Sequence, residues 1–178
     1  MRLPFPAGAF AACIGDGSLI ACSFPDGWTT ALEGVARCLR PGGTFACRVF
    51  LAPDAGTPAA EVVAAARQRR YESFQIFKFG LAMAQCHENG SPNIAVPAIA
   101  DCFDRHVPDR DAFAAATGWD RAEIDTIDVY RPSRANYAFP AAADCLAAVP
   151  SAYQVPRLVS VAGHPMGRQW PVLVAERR

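Results

Sequence analysis

Residues 28–51 read WTTALEGVARCLRPGGTFACRVFL. Trp28, Leu32, Val35 and Leu39 recur at spacings of four, three and four, which places them on one face of a helix. Pro41-Gly42-Gly43 is expected to stop that helix, since proline brings no N–H and glycine takes the left-handed turn that ends one. Thr44 to Leu51 follows at once as an apolar strand whose only charge is Arg48. Upstream, Phe10 to Ile14 is a second short apolar run, preceded by the turn-forming Pro6-Ala7-Gly8, and Asp26-Gly27 opens the helix between them. Strand, helix, Gly-rich turn and strand in such close succession predict a right-handed crossover, hence parallel pairing.

The first of these strands runs out into Gly15-Asp16-Gly17-Ser18. Ligands of open parallel sheets sit beyond the carboxyl ends of the strands. Glycine lets a ligand approach the backbone, and Asp16 there can bind a hydroxyl, an amine or a developing positive charge. The same residues are also turn formers, and the carboxylate of Asp16 can simply cap nearby amides.

Composition narrows the function classes. The chain has 178 residues and 52% hydrophobic residues, enough for one ordinary domain or a sizeable part of a larger one. Lys plus Arg equals Asp plus Glu at 17 each, so no net field draws it to nucleic acid or acidic lipid. No apolar run approaches the roughly 18 residues of a membrane helix, and MRLPFPAG at the start lacks the apolar core of a secretory signal. The seven cysteines include no C-x-x-C pair, which predicts a reduced, cytoplasmic protein. Cys102 and His106 stand at i, i+4 spacing without a second ligand pair, so packing rather than a metal is expected there.

Between the second strand and the C-terminal region lies a helical block. Thr57-Pro58 reads as an N-cap with proline at the first helical position, leading to Val62, Val63 and Ala66 on one side and the basic Arg67, Arg69 and Arg70 at the end. Ser73 to Cys86 places Phe74, Phe77 and Leu81 on one face. Asn93 to His106 is expected to be helical with a break near Pro97; Asp109 to Thr117 and Asp120 to Tyr130 read as two more helices, the latter with Asp120 and Glu123 at capping spacing. Val155 to Val161 and Val172 to Ala175 are strand-like, and the loop 163–167 between them suits an antiparallel hairpin. The expected architecture is a small mixed α/β sheet covered by helices, with the block inserted between its second and third strands.

The string LPFPAGAFAACIGDGSL at residues 3–19, followed by WTTALEGVARCLRPGGTFACRVF at 28–50, resembles the middle of class I S-adenosylmethionine-dependent methyltransferases. In that family an LPF-P segment approaches the fourth strand, and a helix ends in L-(R/K)-P-G-G before the fifth; here the phrase is Leu39 to Gly43. Ala11-Ala12 departs from the acidic residue often found there. The C-terminal hairpin resembles the reversed final strand of that fold, and residues 57–150 resemble the substrate-covering insertion of small members.

The resemblance implies a Rossmann-like methyltransferase sheet, incomplete on its N-terminal side, forming one partial domain over 1–178. It implies that three strands belong before Leu3, bringing a Gly-rich loop for the cofactor's methionine part and an acidic residue for its ribose. No G-x-G-x-G occurs in these 178 residues. It further implies methyl transfer from S-adenosylmethionine to a small-molecule acceptor. Gly15, Asp16 and Gly17 would lie beside the cofactor, Asp16 would be the orienting or proton-accepting group, and Ser18 would face the substrate.

Tyr71, Phe74 and Lys78 occupy the helix expected to roof such a site, although Phe74 also reads as core and Lys78 as a solvated charge. Tyr130, Arg134 and Tyr137, in VYRPSRANY, line a substrate pocket or fix a loop. The expected partners are a small-molecule substrate and either a second copy or the missing N-terminal half, paired through the sheet edge that the Ala11 to Ile14 strand would leave open. A non-catalytic interaction module is the competing reading. A GDSL-type hydrolase is disfavoured because Gly17 separates Asp16 from Ser18. In addition, Ala84, Phe103 and Val161 stand where an Asp-x-x-His pair would need its acid before His87, His106 and His164.

Overall fold

The computed structural model describes residues 3–160, 162–163 and 166–178. Val161 and His164, named above in the hairpin and histidine readings, and Pro165 of the loop 163–167 lie outside the described residues. In chain order the elements are β1 (Phe10–Asp16), a 3-10 turn (Ser18–Ala21), α1 (Asp26–Cys38), β2 (Leu39–Arg48), α2 (Ala59–Arg67), α3 (Phe74–Glu88) and β3 (Asn93–Ala95). There follow α4 (Val96–His106), α5 (Arg110–Thr117), α6 (Arg121–Asp125), a second 3-10 turn (Thr126–Tyr130), β4 (Asn136–Ala138), α7 (Ala142–Ala147), β5 (Tyr153–Val159) and β6 (Val172–Arg177). The chain divides into two compact units, Met1–Pro53 with Ala138–Arg178, and Asp54–Tyr137.

The first unit is α/β. Its sheet has the order β1-β2-β6-β5, with β1 parallel to β2 and with β6 antiparallel to both β2 and β5. The expected crossover and C-terminal hairpin are therefore both present. Strand alternation decides which side is core. Cys13 and Gly15 of β1, Phe45 and Cys47 of β2, and Leu173 and Ala175 of β6 share one face, where Trp28, Leu32 and Ala36 of α1 pack with Leu19, Cys145 and Tyr153. Tyr153 Oη donates to the Leu32 carbonyl at 2.9 Å, joining β5 to α1. On the other face, register aligns Ile14 with Ala46 and Val174, and Asp16 with Arg48 and Val172. Ile14 there is 84% exposed. β1 is an edge strand, so one side of its backbone has no partner within this sheet.

The Pro41-Gly42-Gly43 stretch corrects the sequence reading. α1 ends at Cys38, and Leu39 already lies in β2. Pairing jumps from Phe10–Leu39 to Ala12–Thr44, so residues 40–43 form a bulge in the ladder. Gly42 sits at φ 73°, and a Cβ on Gly43 would stand 2.8 Å from the Arg40 oxygen and 3.1 Å from that of Ala11. Leu39 is buried as its helical spacing suggested, but from a strand. The segment before β1 is tied down by Arg37 in the last turn of α1, whose guanidinium donates to the Leu3 and Phe5 carbonyls at 2.8 Å each.

The second unit is the helical block. Phe74, Phe77, Phe103, Phe113 and Trp119 form its aromatic centre, with neighbouring ring centroids 5.6 to 6.1 Å apart. Four readings change here. Pro58, not Thr57, is at the N-cap of α2, and the Ala59 N–H is instead taken by Glu88 Oε1 at 2.8 Å. Pro97 does not break a helix: it lies in the first turn of α4, preceded by β3. β3 pairs with β4 in a two-stranded ladder that periodicity did not signal. The Asp120 segment is helical only to Asp125 and continues as a 3-10 turn to Tyr130.

Candidate functional site

The end of β1 is built by register. Asp16 and Arg48 are opposite each other on adjacent parallel strands. Arg48 Nε and Nη2 donate to the two Asp16 carboxylate oxygens at 2.6 and 2.7 Å. Both side chains are open to solvent, 69% for Asp16 and 42% for Arg48, so the pair sets geometry more than it adds stability. A carboxylate held by a bidentate guanidinium is an oriented acceptor.

The two glycines serve the chain's own packing. A Cβ on Gly15 would stand 2.8 Å from Cys47 Sγ and 3.2 Å from Ser18 Oγ; one on Gly17 would stand 2.7 Å from the Phe50 ring. Gly17 also takes φ 66°, and its N–H donates to the Arg48 carbonyl at 3.0 Å as the chain turns into the 3-10 segment opened by Ser18. Beside this turn lies a cavity of about 190 Å³, lined by Leu3, Leu19, Leu32, Val35, Phe45 and Cys47 among others. Burial pushes the Cys13 and Cys47 thiols up, so neither is a ready nucleophile.

An adenosyl sulfonium cofactor does not fit these residues alone. The cavity is smaller than the roughly 300 Å³ at which ligand pockets begin, and no Asp or Glu lines it to take ribose hydroxyls. The one nearby carboxylate, Asp16, is engaged by Arg48. The space beside both glycines is filled by Cys47, Ser18 and Phe50.

In the second unit the structure gathers residues that the sequence reading held in two separate groups. Lys78 of α3 places its Nζ 5.4 Å from the Phe74 ring centroid and 4.9 Å from that of Tyr130. Tyr130 meets Tyr137 edge-on at 6.1 Å, and Tyr71 meets Phe77 at 5.8 Å. Lys78 is only 6% exposed, which corrects its reading as a solvated charge. Burial lowers its ammonium's affinity for the proton, opposed by the charge of Glu123. Burial also raises Tyr130 well above the usual phenol range, with Tyr137 and Gln75 as side-chain hydrogen-bond partners. Arg134 is exposed and makes no ion pair among the described residues.

An ion network in this unit had no sequence forecast. Arg110 donates to Asp125 at 2.7 Å, to both oxygens of Asp128 at 2.9 Å, and to Asp104 at 3.0 Å. Arg131 bonds Asp128 and Asp104 as well. The alternation of Asp and Arg from 101 to 131 was the available signal, but spacing in sequence does not say which helix ends converge. His106 Nδ1 lies 3.0 Å from the Cys102 carbonyl and 3.7 Å from its Sγ, and no group of metal-ligating side chains occurs among the described residues. No described helix is long and apolar enough to cross a membrane.

No protein-family model matches the sequence, and no curated protein matches it. Solved structures do. A SAM-dependent methyltransferase from Methanosarcina mazei aligns over 99% of this chain and 63% of its own, at 13% identity and a TM-score of 0.45. The 4+2 cyclase SpnF aligns over 99% and 52% respectively, at 15% identity and 0.33. A structure titled as a sarcosine dimethylglycine methyltransferase from Galdieria sulphuraria aligns over 98% and 54%, at 12% identity and 0.30. The chain thus spans between about half and two thirds of each of these structures' length.

Proposed function

We propose that this chain is the acceptor-side part of an S-adenosylmethionine-dependent methyltransferase acting on a small molecule, and that the cofactor is held only when further polypeptide pairs along β1. The observation that carries this reading is the strand order β1-β2-β6-β5. A parallel pair joined by α1 is followed by a reversed strand beside β2, in a chain whose Leu39 to Gly43 phrase resembles the same family. The free edge of β1 leads directly to Gly15-Asp16-Gly17-Ser18. In this reading Asp16, fixed by Arg48, orients the acceptor beside Ser18, and the chain's part in the reaction is alignment in a site dried by the added polypeptide.

The test is isothermal titration with S-adenosylhomocysteine. It is run on this chain alone and on the chain extended by whatever its reading frame encodes upstream, with size-exclusion mass measured in parallel. The expected result is no saturable binding to the chain alone and micromolar binding to the extended form. Micromolar binding by the chain as a monomer would remove the need for pairing, and no binding in either form would remove the methyltransferase reading. A second reading is favoured by one observation, the 84% exposure of Ile14 on the edge strand: a non-catalytic module that associates through β1. A stable dimer without cofactor affinity in either form supports it.

A further inference from the structure

Lys78 is the only lysine in the chain; all the other basic side chains counted with it are arginines. It is also buried, at 6% exposure, beneath the Phe74 and Tyr130 rings. An arginine would stack better on such rings and would never lose its proton. Lysine differs in being able to become a neutral amine. Lys78 makes no ion pair among the described residues, so proton loss breaks no carboxylate contact.

We propose that Lys78 is a nucleophilic amine that captures aldehydes as a Schiff base, in a site walled by Phe74 and Tyr130. The Nζ lone pair attacks the carbonyl carbon and a C–N bond forms. The carbonyl oxygen leaves with the amine's two protons as one water, giving a neutral imine that hydrolysis reverses. The surroundings suit that sequence. Desolvation lowers the proton affinity of the amine and outweighs the opposing charge of Glu123 from α6. The phenol of Tyr130 stays protonated, and it is tied to Tyr137 and to the exposed Gln75, one turn before Lys78. The aromatic walls suit stacking by a flat, conjugated carbonyl compound. Tyr130, which meets the amine, is half-buried, and its neighbour Val129 is 71% exposed.

The chain's composition makes the test clean, because its only amines are Lys78 and the N-terminal α-amine. The folded protein is incubated with pyridoxal at neutral pH, reduced with borohydride, and read by intact mass and peptide mapping. The expected result is one adduct at Lys78, absent from Lys78→Arg, with a labelling rate that rises through a pH midpoint below that of a free lysine amine. Lys78→Met, checked for an unchanged far-UV spectrum, should lose the same adduct. Labelling confined to the α-amine, or labelling of Lys78 only after unfolding in urea, would overturn the proposal. Labelling of the folded chain with the pH midpoint of free lysine would overturn it as well.

Discussion

At the scale of single residues, Gly17 shows why the turn after β1 is what it is. Its φ of 66° is one that a side chain tolerates poorly, and the Phe50 ring occupies the place a Cβ would take. Gly17→Ala should therefore destabilise the fold by about 2 kcal/mol, since backbone strain of this kind costs roughly 1–3 kcal/mol. Chemical denaturation measures it, and an unchanged midpoint would mean that Phe50 swings aside without loss. The sequence showed that a turn stood here and that Asp16 was its charged member. It did not show that Arg48 would claim that carboxylate. The hint was present, since Asp16 is the only charge of β1 and Arg48 the only one in β2 beyond the bulge, and parallel register sets the two opposite each other, but register is known only once the bulge at residues 40–43 is counted. Lys78 was misjudged for a related reason. Helical spacing places it next to the core face, and the Tyr130 ring that meets its amine comes from far along the chain.

At the scale of elements, the start of α2 illustrates a cap supplied from far along the chain. Pro58 offers no side-chain acceptor, and Glu88, the last residue of α3, accepts from the Ala59 N–H at 2.8 Å. Glu88→Ala should cost about 1 kcal/mol, the usual loss on removing a capping side chain, while Glu88→Gln keeps an acceptor oxygen and should cost far less. Denaturation midpoints of the two variants check this; equal losses would mean that charge, not the hydrogen bond, is what matters. Caps were legible where the capping group is a neighbour: Asp120, read as a cap, accepts from Ala122, while Ser73 and Asp109, read only as the first residues of their helices, accept from Ile76 and Ala112. They were illegible where the acceptor is long-range. Pro97 belongs to the same lesson, because the residue reads as a helix breaker unless the short β3 that leads into α4 is already known.

At the scale of the whole molecule, the ion network makes stability depend on acid. The Arg110 hydrogen bonds, then those of Arg131, hold the Asp128 carboxyl at about 2 against the opposing effect of desolvation. Asp104 is also lowered: burial raises it, and the bonds from Arg131 and Arg110 outweigh that. A depressed carboxyl contributes stability that is fully present above its unfolded value of about 3.9 and is lost as the pH falls through the folded value. Thermal unfolding should therefore shift to lower temperature between about pH 4 and pH 2. Arg110→Met should be less stable at neutral pH and should lose less over that acid window. Because Asp128 is 47% exposed, 1 M salt should shrink the difference between the two proteins. Identical acid slopes in the two proteins would show that the network is not the source.

The sequence by itself determined the local decisions: a crossover from β1 to β2, a C-terminal hairpin, the aromatic face of α3, and the caps supplied by adjacent residues. Those rest on periodicity and on short-range hydrogen bonds, which neighbours in the chain are enough to specify. Tertiary structure alone decided the insertion of β6 beside β2, the pairing of β3 with β4, the Arg110 network, and the burial of Lys78 under Tyr130. Each of those joins residues distant in sequence, and the energy that selects them appears only when separate elements close on one another and exclude water.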